Sequence, residues 1–188
     1  MGKTPIKPMI FHYLMHYLSH YKSPLGDITI ASDGENIVGL WFDKQKYERA
    51  ILSNECIDDA TLHVFDLTKQ WLDIYFEGKE PNFTPPLKLS GSAFRQTVGE
   101  IMLEIPYGKT TTYGEIARQV TQKMGISSMS SQAVGGAVGH NPISIIVPCH
   151  RVMGSDGTLT GYAGGLDKKR FLLRLEGHII ENDLFETY

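Results

Sequence analysis

Cysteine is scarce in this chain: Cys56 and Cys149 are the two among 188 residues. Two thiols cannot build a disulfide framework, and they fall short of the ligand set of a structural zinc site. Net charge is equally slight at −3, which by itself argues against a polyanionic partner. No apolar run approaches the roughly 20 residues that a membrane-spanning helix needs, so no membrane segment is expected. Met1-Gly2-Lys3-Thr4-Pro5 carries charge but lacks the apolar core and small-residue cleavage site of a signal peptide. A reducing cytoplasm is the expected home, and it suits a chain whose thiols stay unpaired.

What charge there is divides unevenly. Residues 1 to 90 hold 9 basic and 12 acidic side chains, whereas residues 91 to 178 hold 9 basic and 6 acidic, a swing from −3 to +3. A modestly basic second half is compatible with phosphate contacts without requiring them. The first half reads as strands and turns: Ile28-Thr29-Ile30-Ala31, a turn at Asp33-Gly34, then Ile37-Val38-Gly39-Leu40-Trp41-Phe42. From Asp58 to Phe76 the apolar residues Val64, Phe65, Trp71, Leu72 and Tyr75 recur at helical spacing, with Asp58 or Asp59 as the expected N-cap and Gly78 as the stop. Pro81, Pro85, Pro86 and Gly91 mark an extended linker, and the domain boundary is placed there, giving units 1–90 and 91–188. His12, His16 and His20 are spaced by four and would share a face, but the surrounding aromatics suggest an edge strand or a floppy amino-terminal segment rather than a metal site. Cys56 reads as structural.

Beyond the linker, Phe94, Val98, Ile101, Met102 and Ile105 form one face of a helix that stops before Pro106-Tyr107-Gly108. Thr112-Tyr113-Gly114-Glu115 has the pattern of a capping box, in which threonine and glutamate each satisfy the other's backbone donor. The helix it opens is expected to run to about Gln122, with a turn at Gly125 and a third helix from Ser131 to His140 capped by Ser127 or Ser128. Two short helices joined by a glycine turn match a helix-turn-helix, a pattern shared by DNA-binding modules and ordinary helical hairpins. The third helix reads Ala133-Val134-Gly135-Gly136-Ala137-Val138-Gly139. Each glycine costs helix stability by about 1 kcal/mol against alanine, so close approach of something must repay it. That something is either another helix or a nucleic-acid backbone.

The chemistry-bearing block is Pro148-Cys149-His150-Arg151, preceded by Asn141-Pro142 and an apolar run from Ile143 to Val147. A free thiol with a pKa of about 8.5 is only a few per cent thiolate at neutral pH, so a nucleophilic cysteine needs a base or cation beside it. His150 and Arg151 are candidates. A buried structural cysteine next to a surface histidine is the other reading of the tetrad alone.

The tetrad has company. Ile105-Pro106-Tyr107-Gly108-Lys109-Thr110-Thr111-Thr112-Tyr113, then the glycine-rich helix with His140-Asn141-Pro142, then Gly161-Tyr162-Ala163-Gly164-Gly165-Leu166 flank it in order. In this sequence the blocks closely resemble the 6-O-alkylguanine-DNA alkyltransferases, which move an alkyl group from guanine to their own cysteine. The likeness is strong from Phe94 to Glu176 and weaker at Tyr21-Lys22-Ser23-Pro24-Leu25-Gly26. It implies an α+β fold: a small N-terminal domain with antiparallel sheet and helix, ribonuclease H-like, then a mostly helical, winged-helix-like C-terminal domain carrying the helix-turn-helix.

The resemblance also implies roles. Cys149 would accept the alkyl group, His150 would act as its base through a water, and Glu176 would orient the imidazole. Asn141 would tie together the turns around the site, and Tyr113 would give a proton to the departing guanine. Main-chain groups near Cys149, Val152 and Ala163 would read the base, and Tyr162 would stack on it after it flips out of the duplex. The glycine-rich helix would lie in the minor groove, with Ser131, Gln132, Ala133, Gly135 and Gly136, together with Thr110 and Arg151, as the DNA-binding set. Gln132 stands where many members have the arginine that fills the gap left by the flipped nucleotide. The expected partner is double-stranded DNA containing 6-O-alkylguanine, the 4-oxygen of alkylated thymine is an expected second substrate, and neither cofactor nor metal is implied. The protein would act once per molecule, as a monomer. A damage-flagging relative without transfer chemistry, which usually lacks the cysteine, and a helix-turn-helix regulator with a sensor cysteine are the alternatives.

Overall fold

The computed structural model describes residues 15–52, 55–58 and 60–179. His12, Asp59 and the acidic residues after 180 lie outside that range. Strands β1 (His16–Ser23), β2 (Gly26–Ser32), β3 (Ile37–Phe42) and the two-residue β4 (Cys56–Ile57) form a sheet of order β3-β2-β1-β4, antiparallel except for β4 on β1. The first hairpin closes through Pro24-Leu25, with Ser23 opposite Gly26. In the second, Asp33 Oδ1 accepts the amides of Glu35 and Asn36, the local bonding that makes aspartate a turn residue. Gly39 on β3 has no substitute, because a Cβ there would fall 1.8 Å from the Trp41 ring.

Helix α1 (His63–Phe76) buries Val64, Phe65, Thr68, Trp71, Leu72 and Tyr75, the face its spacing predicts. Its start differs from the sequence expectation. Leu62 occupies the N-cap position with no side-chain cap, while Asp58 instead lies 2.8 Å from His20 Nε2. Strand β1 is likewise interior rather than an edge, and it parts the histidines, with His16 buried and His20 exposed. Among the described residues no cluster able to hold a metal ion forms. Cys56 is exposed on β4 rather than built into a core.

The second half packs α2 (Ala93–Leu103), α3 (Tyr113–Met124) and α4 (Ser131–Gly139) against one another, with α5 (Leu166–Leu175) beyond them. Strands β5 (Thr111–Thr112) and β6 (Val152–Met153) form a short parallel pair that the sequence does not announce. The box at α3 is half made: Thr112 Oγ1 accepts the Glu115 amide, but the Glu115 carboxylate turns outward to Arg118 and Gln119. Gly125, at φ 63°, ends α3 in the left-handed conformation that favours glycine. Ser130, rather than Ser127 or Ser128, caps α4 by accepting the Ala133 amide.

The two units share one core. Ile28, Ile30, Leu40 and Phe42 of the sheet join Val98, Ile116, Val134, Ile143 and Cys149 in a single buried cluster. The edge of β3 carries both joints. Its Ile37 bonds the linker at Pro86 and Lys88, and its Leu40 gives its amide to Pro142 and takes that of Ser144. The segment leading to Cys149 is thereby docked onto the N-terminal sheet. Among the described residues no helix is long and apolar enough to cross a membrane.

Candidate active site

Between α4 and Cys149 the chain has no long element, and Asn141 holds it in shape. Asn141 Oδ1 accepts the Ile143 amide at 3.0 Å, while Nδ2 faces the carbonyls of Val147 at 2.8 Å and Ile143 at 3.2 Å and Cys149 Sγ at 3.1 Å. Two three-residue turns follow. Ile146 bonds back to Ser144 across Ile145, whose φ of 69° is costly for a β-branched residue, and Cys149 bonds back to Val147 across Pro148. Strain of this kind, about 1–3 kcal/mol, persists only where surrounding bonds over-determine it. Asn141→Ala should therefore lower stability by about 2–3 kcal/mol in urea unfolding, since it strands several buried backbone groups. A loss below about 1 kcal/mol would show that the bonds to Leu40 hold the loop unaided.

Pro148 turns the chain into one turn of 3-10 helix, Cys149–Arg151, and all three of its side chains are buried. Burial pushes the Cys149 thiol up, against the Asn141 amide and the Lys169 ammonium, which pull it down. At rest the group is a thiol, so it needs a base. His150 is fully buried with Nε2 at 2.7 Å from Glu176 Oε1. Burial holds its pKa below the ordinary histidine range in spite of the carboxylate beside it. The imidazole is therefore neutral, with its hydrogen on Nε2, because an ionised carboxylate can only accept. Nδ1 is left as a buried lone pair without a hydrogen-bond partner among the described residues. A free acceptor nitrogen on the residue after a buried thiol is what general-base chemistry requires.

Glu176, the C-cap of α5, is the hub of the cluster. Burial would raise its carboxyl, but the hydrogen bonds of His150 and Arg151 and the Arg151 charge hold it at about 2. Arg151 reaches it through Nε at 2.9 Å and Nη2 at 3.0 Å, and gives Nη1 to the Ile105 carbonyl at 2.6 Å. The Gly108 amide adds a bond at 3.1 Å. Arg151, expected among the DNA-binding residues, thus turns inward: a guanidinium bound to Glu176 and Ile105 and only 8% exposed has no face for phosphate.

The remaining expected residues fall into two groups. Tyr113, at the start of α3, gives its hydroxyl to the Thr160 carbonyl at 3.2 Å, and burial raises its pKa, so it stays a donor. Tyr162 is partly buried with a hydroxyl that has no geometric partner among the described residues, and burial raises its pKa well above the ordinary value. Ala163 is tied to the N-terminal unit through its carbonyl, which accepts the Lys46 amide at 3.1 Å. Val152 is buried, and its carbonyl accepts from Lys169. On the other side, Ser131, Gln132, Ala133 and Gly136 are exposed along α4, Gly135 is partly so, and Thr110 is exposed before β5. A Cβ added at Gly136 or Gly139 would meet no neighbour within 4 Å, and one at Gly135 would only touch the Tyr113 ring at 3.8 Å. Internal packing does not ask for these glycines.

Two site residues escape a reading of the sequence. Lys169 is fully buried, bonds the carbonyls of Val152 at 2.6 Å and Thr160 at 2.7 Å, and is brought down to about 8 by burial. In the run Lys168-Lys169-Arg170 nothing distinguishes it from its half-buried neighbours. Tyr75, on α1 of the N-terminal unit, gives its hydroxyl to Glu176 Oε1 at 2.7 Å. Its helical spacing signals a core position and nothing more.

Two family models match. Residues 16–89 fit the ribonuclease-like domain of 6-O-methylguanine DNA methyltransferase, and residues 93–178 fit its DNA binding domain. The chain is 44% identical over 155 residues to a methylated-DNA–protein-cysteine methyltransferase of Haemophilus influenzae, covering 82% of each. Its fold is similar to the 6-O-methylguanine methyltransferase of Mycobacterium tuberculosis, with TM-score 0.74, 40% identity, 92% of this chain and 100% of that one. A structure of the M. tuberculosis protein in complex with DNA is similar to the same degree, with TM-score 0.74 and 40% identity over 86% of this chain and 92% of that one.

Proposed function

Since the chain belongs to the 6-O-methylguanine DNA methyltransferase family, we propose that it reverses alkylation damage in duplex DNA by moving the alkyl group from the 6-oxygen of guanine to Cys149 Sγ. The observation that carries the residue assignment is the pairing of a thiol held by Asn141 with a neutral imidazole whose one free nitrogen is a lone pair. The Cys149 proton passes to His150 Nδ1 across one water, and Glu176 stabilises the imidazolium that forms. The thiolate attacks the alkyl carbon in line, a carbon–sulfur bond forms, and the bond from carbon to the guanine oxygen breaks. Tyr113, already a donor to a carbonyl, supplies a proton to the leaving base, and the proton taken by His150 returns through water to the phenolate, so that both side chains end neutral. Tyr162 and the main chain around Val152 and Ala163 form the walls that receive the flipped guanine. The same displacement serves the 4-oxygen of alkylated thymine.

The exposed small-residue face of α4 supports minor-groove docking. Gly136 and Gly139 keep open space that no side chain among the described residues fills, and each costs helix stability. No group among the site residues can break the thioether, so each molecule acts once, and a reducing compartment keeps its thiol ready. Intact-mass measurement after incubation with a duplex containing one 6-O-methylguanine tests the reading. A gain of one methylene on Cys149 with restored guanine is expected; tight binding with no mass change would replace transfer by damage flagging.

Gln132 is exposed at the first turn of α4, where it can fill the gap left by the flipped nucleotide, but without a guanidinium's charge and stacking plane. Gln132→Arg should tighten duplex binding by about tenfold at low salt, with the advantage shrinking as salt rises. Unchanged affinity at low salt would remove this position from the gap.

A further inference from the structure

Among the described residues every donor to Glu176 comes from the C-terminal unit except one. Tyr75 sits on α1 with its side chain fully buried, and its hydroxyl lies 2.7 Å from Glu176 Oε1 and 3.2 Å from His150 Nε2. We propose that Tyr75 is a positioning residue for the alkyl transfer: its phenol occupies a lone pair of Glu176 Oε1 and so limits how strongly that carboxylate draws a proton onto His150. The N-terminal unit then takes part in the chemistry rather than serving only as a support. This rests on the reading of Cys149 and His150 as nucleophile and base.

The geometry fixes the direction of the hydrogen bond. His150 Nε2 carries a hydrogen aimed at Glu176, so it cannot accept from the phenol, and the phenol hydrogen must go to the carboxylate. Burial, then the charge of Glu176, raises the Tyr75 pKa well above its ordinary value, so the hydroxyl remains a donor at every relevant pH. The ring cannot swing away, being stacked on Trp71 at 5.2 Å and set edge-on to Phe76 at 5.6 Å and Tyr107 at 6.1 Å. Among the described residues the other titratable or charged groups around the pair are Arg151, Lys169, Cys149, Tyr107 and Tyr162. Arg151 divides its hydrogen bonds over both carboxylate oxygens, whereas the phenol competes with His150 for Oε1 itself. A buried carboxylate with too few donors would hold the imidazole as imidazolium, and an imidazolium cannot take the Cys149 proton. The 2.7 Å contact to a full charge outweighs the 3.2 Å contact to neutral Nε2, so losing the phenol raises the affinity of His150 for its proton.

The test is Tyr75→Phe, which retains the ring contacts and removes only the hydroxyl. Two readouts are taken: the titration of the His150 ring nitrogens by NMR without DNA, and the rate of methyl transfer across pH. The His150 titration should rise by about one pH unit, the size expected for one hydrogen bond to a charged group. The acid limb of the transfer profile should rise with it, so that the acid-side rate falls about tenfold while the alkaline plateau stays within about twofold. Incorporation of 3-fluorotyrosine at position 75 keeps the packing and strengthens the donor, so it should move both in the opposite direction. A loss of stability with the titration and the profile unmoved would overturn the proposal and leave Tyr75 a packing residue. Absence of any mass gain on Cys149 in the unsubstituted protein would instead remove the underlying reading, and the proposal with it.

Discussion

Cys149→Ser is expected to abolish alkyl transfer, by at least about 10⁴-fold, while binding of a duplex with 6-O-methylguanine stays within about twofold. The substitution changes one atom in a site only 3% exposed, and the Asn141 amide that faces Sγ can donate equally to a hydroxyl. Fold and pocket are therefore retained, and stability should change by no more than about 1 kcal/mol. The chemistry is not. A serine hydroxyl is far too weak an acid for a neutral imidazole to deprotonate in a buried site, and its oxygen is a poor nucleophile toward an alkyl carbon. Mass measurement and a binding titration on the same preparation separate the two effects. A methylene gain that survives in the variant would place the acceptor elsewhere, with exposed Cys56 the first position to map.

The sequence shows this nucleophile because the residues that make it reactive are close along the chain. Asn141, Cys149 and His150 lie within ten positions, and the turns joining them are written in Pro142, Pro148 and the apolar run between. Helix α3 is legible for a similar reason, since its cap at Thr112 and its stop at Gly125 both act locally. Where a residue's partner is distant, the reading fails. Asp58 has the chemistry of an N-cap, but His20, 38 residues earlier, takes it, and α1 starts later without a side-chain cap. Glu115 fails for a different, local reason: it has the chemistry of a capping box, but Arg118, three residues on, outcompetes the backbone for it. Arg151 follows the proposed nucleophile and base, and the resemblance sets it among the DNA-binding residues; only the fold reveals its bonds to Glu176, 25 residues on.

Tyr75 and Lys169 show the same limit more sharply. Helical spacing places Tyr75 on a buried face, which is correct, yet periodicity cannot distinguish a ring that merely fills space from one whose hydroxyl ends 2.7 Å from a carboxylate 101 residues away. Lys169 sits in a basic run that reads as a solvated helix face, whereas its ammonium is spent on two carbonyls inside the protein. Tyr75 belongs to a contact between the two units, and Lys169 to one between separate segments of the C-terminal unit. The boundary drawn at the linker is thus bridged on several sides: β3 docks the Cys149 loop, Lys46 holds Ala163, and α1 supplies a donor to Glu176.

Glu176→Gln is expected to be the most disruptive single change in the site, costing about 3–5 kcal/mol of stability and at least about 100-fold in transfer rate. Its size comes from what is left behind. Arg151 keeps a full charge at 8% exposure with only the Ile105 carbonyl and a neutral amide to satisfy it, and an uncompensated buried charge is the costly half of a broken pair. The amide oxygen can still accept from His150 Nε2, so the tautomer survives, but the imidazolium formed when Cys149 gives up its proton loses its counter-charge. The acid dependence of stability supplies a second signature. With its pKa held at about 2 in the folded chain against an ordinary 4.5, Glu176 contributes stability that is fully present above pH 4.5 and lost as pH falls from 4.5 toward 2. The glutamine variant has no proton to gain there, so its urea midpoint should fall less steeply through that window than the parent's. Equal acid slopes would mean that Glu176 titrates alike in the folded and unfolded chain, and then neither Arg151 nor His150 would be holding its charge.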